Sequence, residues 1–186
     1  MGRRSNFELK KHGQYYTPES AIAPLIKHLP TPLRYIEPCA GDGAIARYLA
    51  PYDIRCTAAF DIEPGLASGI NIVKRDATLL MPADIPPYTT HAVTNPPWPK
   101  RGDQRVTLRI IRRMLELDLT AVMLLPASFM HVQYAGQLLR DHCTRIISVG
   151  RVKWFDGTPH NSLDDACWYF FRPTEKLECP IFYPRS

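Results

Sequence analysis

The chain lacks the marks of several large protein classes. Its five cysteines, at 39, 56, 143, 167 and 179, are odd in number and show no CxxC spacing, which argues against a disulfide framework and against a zinc site. Their expected role is that of small buried hydrophobes. No apolar run approaches the ~20 residues that a membrane span needs, and the basic Arg3-Arg4 is not followed by the apolar stretch of a signal peptide. A cytoplasmic protein with no membrane partner is therefore expected. Internal repeats, low-complexity tracts and linkers are absent. With 45% hydrophobic content, the 186 residues can bury one good core, so residues 1–186 are expected to form a single domain whose first 16 residues are a basic arm. Acidic groups are outnumbered, giving a net charge of +5. That balance favours an anionic partner without separating nucleic acid from a generally basic surface.

Also missing is the G-x-G-x-x-G of a pyrophosphate-binding loop. The glycine-rich stretch that is present reads Glu37-Pro38-Cys39-Ala40-Gly41-Asp42-Gly43, after apolar Tyr35-Ile36 and before the periodic Ala44, Ile45, Tyr48 and Leu49. This is the pattern of strand, tight loop and helix. Gly41 and Gly43 permit positive φ and close approach of a ligand to the backbone, while Glu37 and Asp42 bring carboxylates to it. An acidic loop fits a cationic or zwitterionic ligand better than a phosphate. A nicotinamide oxidoreductase is disfavoured on the same ground.

The most specific segment is Asn95-Pro96-Pro97-Trp98. Two prolines fix φ near −65° and remove their own N–H donors, leaving the Asn95 amide oxygen and the Pro96 carbonyl to act as acceptors. Trp98 offers a face for a flat ring. Two acceptors aimed at the NH2 group of a conjugated ring return electron density to its nitrogen, so the amine can attack an electrophilic methyl group.

With these segments in view, the chain resembles the class I S-adenosylmethionine-dependent methyltransferases, and within them the enzymes that methylate the exocyclic amine of adenine in DNA. Tyr16-Thr17-Pro18, the Glu37 to Gly43 loop and Asn95 to Trp98 occur in the order of the family's gamma arrangement. The resemblance covers most of the chain. It implies S-adenosylmethionine as cofactor, held by Tyr16, Thr17, Pro18, Glu37, Pro38, Gly41, Gly43, Asp61, Asp76 and Asn95. It assigns catalysis to Asn95, Pro96, Pro97 and Trp98.

Individual assignments keep their alternatives. Asp61 lies about 18 residues past Gly43 at a strand end, where one carboxylate can take both ribose hydroxyls of an adenosine. By resemblance Asp76 touches the cofactor's adenine, or else it caps the following turn. Tyr16 either lines the methionine end of the cofactor, where a ring face stabilises a sulfonium, or packs in the core. Phe155, or its neighbour Trp154, is a candidate second wall of the base pocket facing Trp98. Lys100 and Arg101 fall within a few residues of the proposed pocket mouth, with Arg105, Arg109, Arg112 and Arg113 following. Phosphate contact is expected of the first two, against the plainer reading of a solvated helix face.

A coarse pass along the chain predicts strands near 33–37, 54–60, 70–73, 91–95, 120–125, 144–150 and 166–171, with helices near 43–50, 104–117 and 129–141. A further helix begins at Thr17 as N-cap, bent by Pro24. The expected fold is α/β and Rossmann-like: a mostly parallel seven-stranded sheet with an antiparallel terminal strand and helices on both faces. The connections after 61 and 76 are short, so two of the family's crossover helices are expected to be shrunken.

The function expected from the sequence is methyl transfer to adenine in DNA. Every long segment is used by the sheet and its covering helices, so no separate target-recognition domain is expected and selectivity should be low unless a homodimer or a specificity partner supplies readout. The same chemistry on adenine in RNA or on a protein glutamine amide is the alternative. A non-catalytic nucleic-acid-binding subunit of the same fold is the reading from a different class.

Overall fold

The computed structural model describes residues 16–65, 69–98, 105–154, 165–173 and 180–184. Eight strands form one sheet: β1 Leu33–Glu37, β2 Ile54–Asp61, β3 Ile72–Lys74, β4 His91–Thr94, β5 Thr120–Pro126, β6 Cys143–Arg151, β7 Asp165–Phe171 and β8 Ile181–Tyr183. Their order is β3-β2-β1-β4-β5-β7-β6-β8. All neighbouring pairs are parallel except β5–β7 and β6–β7. Two details of the expected sheet are thereby corrected. It has eight strands, because Ile181–Tyr183, three residues between Pro180 and Pro184, adds a strand too short to register as a pattern. The antiparallel strand is β7, which is inserted between β5 and β6 and ends neither the chain nor the sheet.

Helices cover both faces. On one side lie α1 Glu19–Ile22, its 3-10 continuation Ala23–His28, and α2 Ala44–Leu49. Ile22, Leu25, Ile45 and Leu49 from these elements meet Tyr35, Val93, Val122, Leu124 and Trp168 of the sheet. On the other side α3 Val106–Glu116 and α4 Gly136–His142 bring Leu108, Ile111, Met114 and Leu138 against Ile36, Ala92, Met123, Leu125 and Tyr169. Successive strand residues thus serve opposite cores, which is why β5 reads as an unbroken apolar run.

Local chemistry shaped three of these elements differently from expectation. Pro18, not Thr17, holds the N-cap position of α1, and it makes no side-chain cap. The predicted helix over 129–141 begins instead as two 3-10 segments, Ala127–His131 and Gln133–Ala135. The buried Tyr169 hydroxyl donates to the carbonyls of Pro126 and Ala127, at 3.3 and 3.0 Å, and ties the start of the first segment to β7. Between β2 and β3 the described residues contain no helix, and between β3 and β4 only the 3-10 turns Ala77–Leu79 and Pro82–Asp84. These connections are short, as expected.

Candidate functional site

The strand order reverses between β1 and β4, one running outward through β2 and β3 and the other through β5. The carboxyl ends of such a pair diverge and leave a crevice. Here the crevice is a small, partly open pocket lined by Tyr16, Thr17, Glu37, Cys39, Ala40, Gly41, Asp42, Ala44, Ile45 and Asn95. Residues as far as 79 positions apart in sequence meet there. Five of the predicted cofactor residues, Tyr16, Thr17, Glu37, Gly41 and Asn95, share this wall.

The loop after β1 is built to approach a ligand closely. Gly41 and Gly43 have φ of +55° and +73°, the left-handed region that a side chain rarely enters. A Cβ at Gly65 would meet the Gly41 carbonyl at 3.1 Å and the Tyr16 hydroxyl at 3.3 Å, so Tyr16 lies across the top of this turn. Asp42 is turned inward to its own loop: it accepts from the Ala44 N–H at 3.1 Å and pairs with Arg47 at 2.9 Å. Arg47 also donates to the Asp42 carbonyl. Its charge is thus balanced locally, which sequence reasoning missed because Arg47 reads as an ordinary helix residue.

Glu37 is the exception to local balance. It is 1% exposed, and among the described residues its Oε2 has no hydrogen-bond partner. Burial pushes its carboxyl well above the usual range, and the nearby Asp42 and Asp61 push the same way. The Ala46 N–H and Arg47 oppose the shift. An orphaned acceptor on a cavity wall is the signature of a site shaped for a donor, and a cationic one would favour the ionised acid.

Asp61, at the end of β2, has both oxygens engaged. Oδ2 accepts from the Gly41 N–H at 2.7 Å and Oδ1 from the Glu63 N–H at 2.8 Å. Asp61 is not among the residues that line the cavity, and of the about four acceptor positions of a carboxylate two are taken by these bonds. Asp76 lies off the cavity wall and caps the 3-10 turn after β3, accepting from Thr78 N–H and Oγ1 at 2.8 and 2.7 Å. Pro38 and Gly43 flank the glycine-rich loop, and Pro18 starts α1. None of the three lines the cavity.

Asn95 follows β4 and is held at both ends of its amide. Nδ2 donates to Thr17 Oγ1 at 3.2 Å, and Oδ1 accepts from the Trp98 indole N–H at 3.0 Å. Thr17 therefore orients the amide, the same hydroxyl that the sequence reading placed at a helix cap. The indole N–H is shared with the Leu124 carbonyl at 2.9 Å, and the ring packs edge-on against Trp154 with centroids 5.2 Å apart. Trp98 is thus a half-buried brace of the loop as well as an aromatic wall, and the Asn95 oxygen retains one of its two lone pairs. Pro96 is buried, and no hydrogen bond among the described residues occupies its carbonyl. The Pro97 carbonyl accepts from Thr107 Oγ1 at 2.6 Å, tying the loop to the start of α3. Lys100, Arg101, Phe155 and residues 1–15 lie outside the described residues. Arg105, the N-cap residue of α3, and Arg109 and Arg112 within the helix are exposed and share one face.

Among the described residues no group of three or more His, Cys, Asp or Glu is placed to hold a metal ion, and no helix is long and apolar enough to cross a membrane.

This architecture, with its cavity at the strand-order reversal, is shared with solved structures of modification and methyltransferase proteins. The type I restriction enzyme EcoKI M protein superposes with a TM-score of 0.59 at 14% identity, over 92% of this chain and 48% of its own. A modification subunit assigned to a type I restriction enzyme of Vibrio vulnificus gives 0.54 at 11% identity, over 94% and 48%. A protein of Listeria monocytogenes assigned to the class I S-adenosylmethionine-dependent methyltransferases gives 0.62 at 11% identity, over 90% and 64%. The chain spans about half the length of these modification subunits. No family model and no curated protein matches the sequence.

Proposed function

We propose that the chain is an S-adenosylmethionine-dependent methyltransferase acting on the exocyclic amine of adenine in DNA. The observation that carries the reading is the position of Asn95. It stands at the carboxyl end of β4, on the wall of the same cavity as the orphaned acid Glu37 and the open turn at Gly41. A conjugated amine bound at Asn95 would thus lie beside whatever the acidic loop holds.

The residues present fit the cofactor. Glu37 supplies the buried acceptor that an ammonium group would complete, Gly41 leaves the backbone open, and Asp61 has acceptor capacity for ribose hydroxyls. Tyr16 stands at the same wall for the sulfonium end. Bound there, S-adenosylmethionine would supply an electrophilic methyl group on a sulfonium that leaves as a neutral thioether.

The chain's own work is positioning and electrostatics. The Asn95 oxygen and the Pro96 carbonyl accept from the amine and stabilise the positive charge that grows on nitrogen. Thr17 prevents the amide from turning its NH2 group toward the substrate. Trp98, fixed by its N–H, walls the base on one side, with Phe155 on the other; Trp154 packs edge-on against Trp98 and leaves no room for a ring between the two. Lys100 and Arg101 take phosphates at the mouth, and the Arg105, Arg109 and Arg112 face continues the positive track along α3. The type I modification proteins among the structural neighbours support DNA as the acceptor. The 186-residue chain alone is expected to select sequence weakly, since phosphate contacts carry affinity without base information.

Labelled S-adenosylmethionine offered with separate panels of DNA, RNA and protein, followed by mass spectrometry of the product, tests the reading. N6-methyladenine in DNA is expected. Methyl-glutamine or label confined to RNA would transfer the function to the other acceptors, and no label with undetectable cofactor binding would leave a nucleic-acid-binding subunit.

A further inference from the structure

Two loops must hold fixed positions for methyl transfer, the glycine-rich loop after β1 and the Asn95 loop after β4. The ladder between these strands, however, stops early. It pairs Tyr35 with His91 and Ile36 with Ala92, and goes no further. Pro38 cannot extend it, because it has no N–H to donate. Beyond that point one side chain replaces the missing rungs. The Thr94 hydroxyl accepts from the Cys39 N–H and donates to the Cys39 carbonyl, both at 3.2 Å. Thr94 is fully buried and is itself fixed from the far side, since β4 stays in register with β5 through Thr94 opposite Met123. It immediately precedes Asn95, and Cys39 lies two residues before Gly41.

We infer that Thr94 is a positioning residue for the transfer reaction: its hydroxyl staples the cofactor loop to the acceptor loop and fixes the spacing between them. The inference rests on the methyl-transfer reading for its kinetic consequence and on geometry alone for its mechanical one. Thr94 touches neither reactant. Valine has the same shape and no hydroxyl, so Thr94→Val removes the staple with the least change in packing. Serine retains it.

A structural control exists in the same sheet. The Thr57 hydroxyl donates to the Tyr35 carbonyl at 2.9 Å where the β1–β2 register shifts, and it also meets Thr89 at 2.9 Å. Thr57→Val removes a comparable bond that does not join the two loops.

The experiment compares wild type, Thr94→Val, Thr94→Ser and Thr57→Val by amide hydrogen exchange, S-adenosylmethionine affinity and single-turnover methylation of DNA at saturating cofactor. For Thr94→Val, exchange over residues 39–43 should speed up and the single-turnover rate should fall at least about ten-fold, because an error near 1 Å in alignment is enough for that. Cofactor affinity should stay within about three-fold, since each loop keeps its own contacts. Thr94→Ser should restore both rate and protection. Thr57→Val should melt at lower temperature yet transfer at the wild-type rate. Should valine prevent folding, Thr94→Ala gives the same comparison. Wild-type exchange and rate in Thr94→Val, no rescue by serine, or equal slowing by Thr57→Val would each overturn the inference. A wild-type protein that methylates no acceptor would refute the functional reading alone, and the exchange data would still decide the staple.

Discussion

Asp61→Asn probes the cofactor loop at its anchor. The carboxylate takes two backbone N–H groups, Gly41 at 2.7 Å and Glu63 at 2.8 Å, from a position only 7% exposed. Asparagine is nearly isosteric and can keep one of these bonds, but its NH2 group then faces the other N–H. One hydrogen bond to a charged acceptor is lost and a donor is set against a donor, a cost of about 1.5–3 kcal/mol. At roughly 2–4 °C per kcal/mol for a chain of this size, the melting temperature should drop by about 3–12 °C. Melts should be run with and without S-adenosylmethionine, because a ligand that binds only the folded state adds stability in proportion to the logarithm of its saturation. The variant should also gain less from cofactor than wild type, its loop being loosened and its ribose acceptor weakened. A melting temperature within about 1 °C of wild type would show that the two bonds contribute nothing to the fold. An unchanged cofactor shift would remove Asp61 from the binding site.

Asn95→Ala should nearly abolish methyl transfer while S-adenosylmethionine affinity, measured by calorimetry, stays within a few-fold of wild type; the Trp98 N–H keeps the Leu124 carbonyl, so the loop remains anchored and loss of both properties would refute the assigned role. Glu37 has its pKa raised in the folded state, so it contributes stability that is complete below the unfolded carboxyl value and declines as pH rises toward its folded value. Glu37→Gln should therefore gain stability relative to wild type as pH is raised above about 4.5. It should also lose the rise of cofactor affinity with pH expected of wild type, and parallel pH profiles of the two proteins would contradict this. Arg105→Gln and Arg112→Gln should each flatten the plot of log affinity for DNA against log salt by about one unit without altering which adenines are methylated; unchanged slopes would return α3 to a solvated face.

The legible part of the molecule is that governed by local chemistry. Gly41 and Gly43 adopt positive φ, the apolar runs became β1, β2, β4, β5, β6 and β7, and Pro24 ends α1 in a 3-10 segment, each for reasons contained within a few residues. The short strand Ile181–Tyr183 escaped because three residues carry no period, and its pairing with β6 is decided by a partner more than thirty positions away. Asp76 could be read either as a ligand or as a cap, and both choices look alike in sequence. In the described fold it accepts from the Thr78 N–H and hydroxyl, a contact that chain order alone did not single out.

By itself, then, the sequence determined an α/β core, an acidic glycine-rich loop suited to a positively charged ligand, and an Asn-Pro-Pro-Trp segment suited to a planar amine, because composition, φ preference and donor inventory are local properties. Only the tertiary structure decided how these parts address one another. It turned Asp42 onto Arg47, left Oε2 of Glu37 unpaired among the described residues, assigned Thr17 to the Asn95 amide, made Trp98 a brace on Leu124, and put the Thr94 hydroxyl beyond the end of the β1–β4 ladder. Each of these is a contact between residues that chain order separates and the sheet brings together. A hydrogen bond depends on tenths of an ångström and on which groups burial has stripped of water, quantities that exist only once the whole chain has packed.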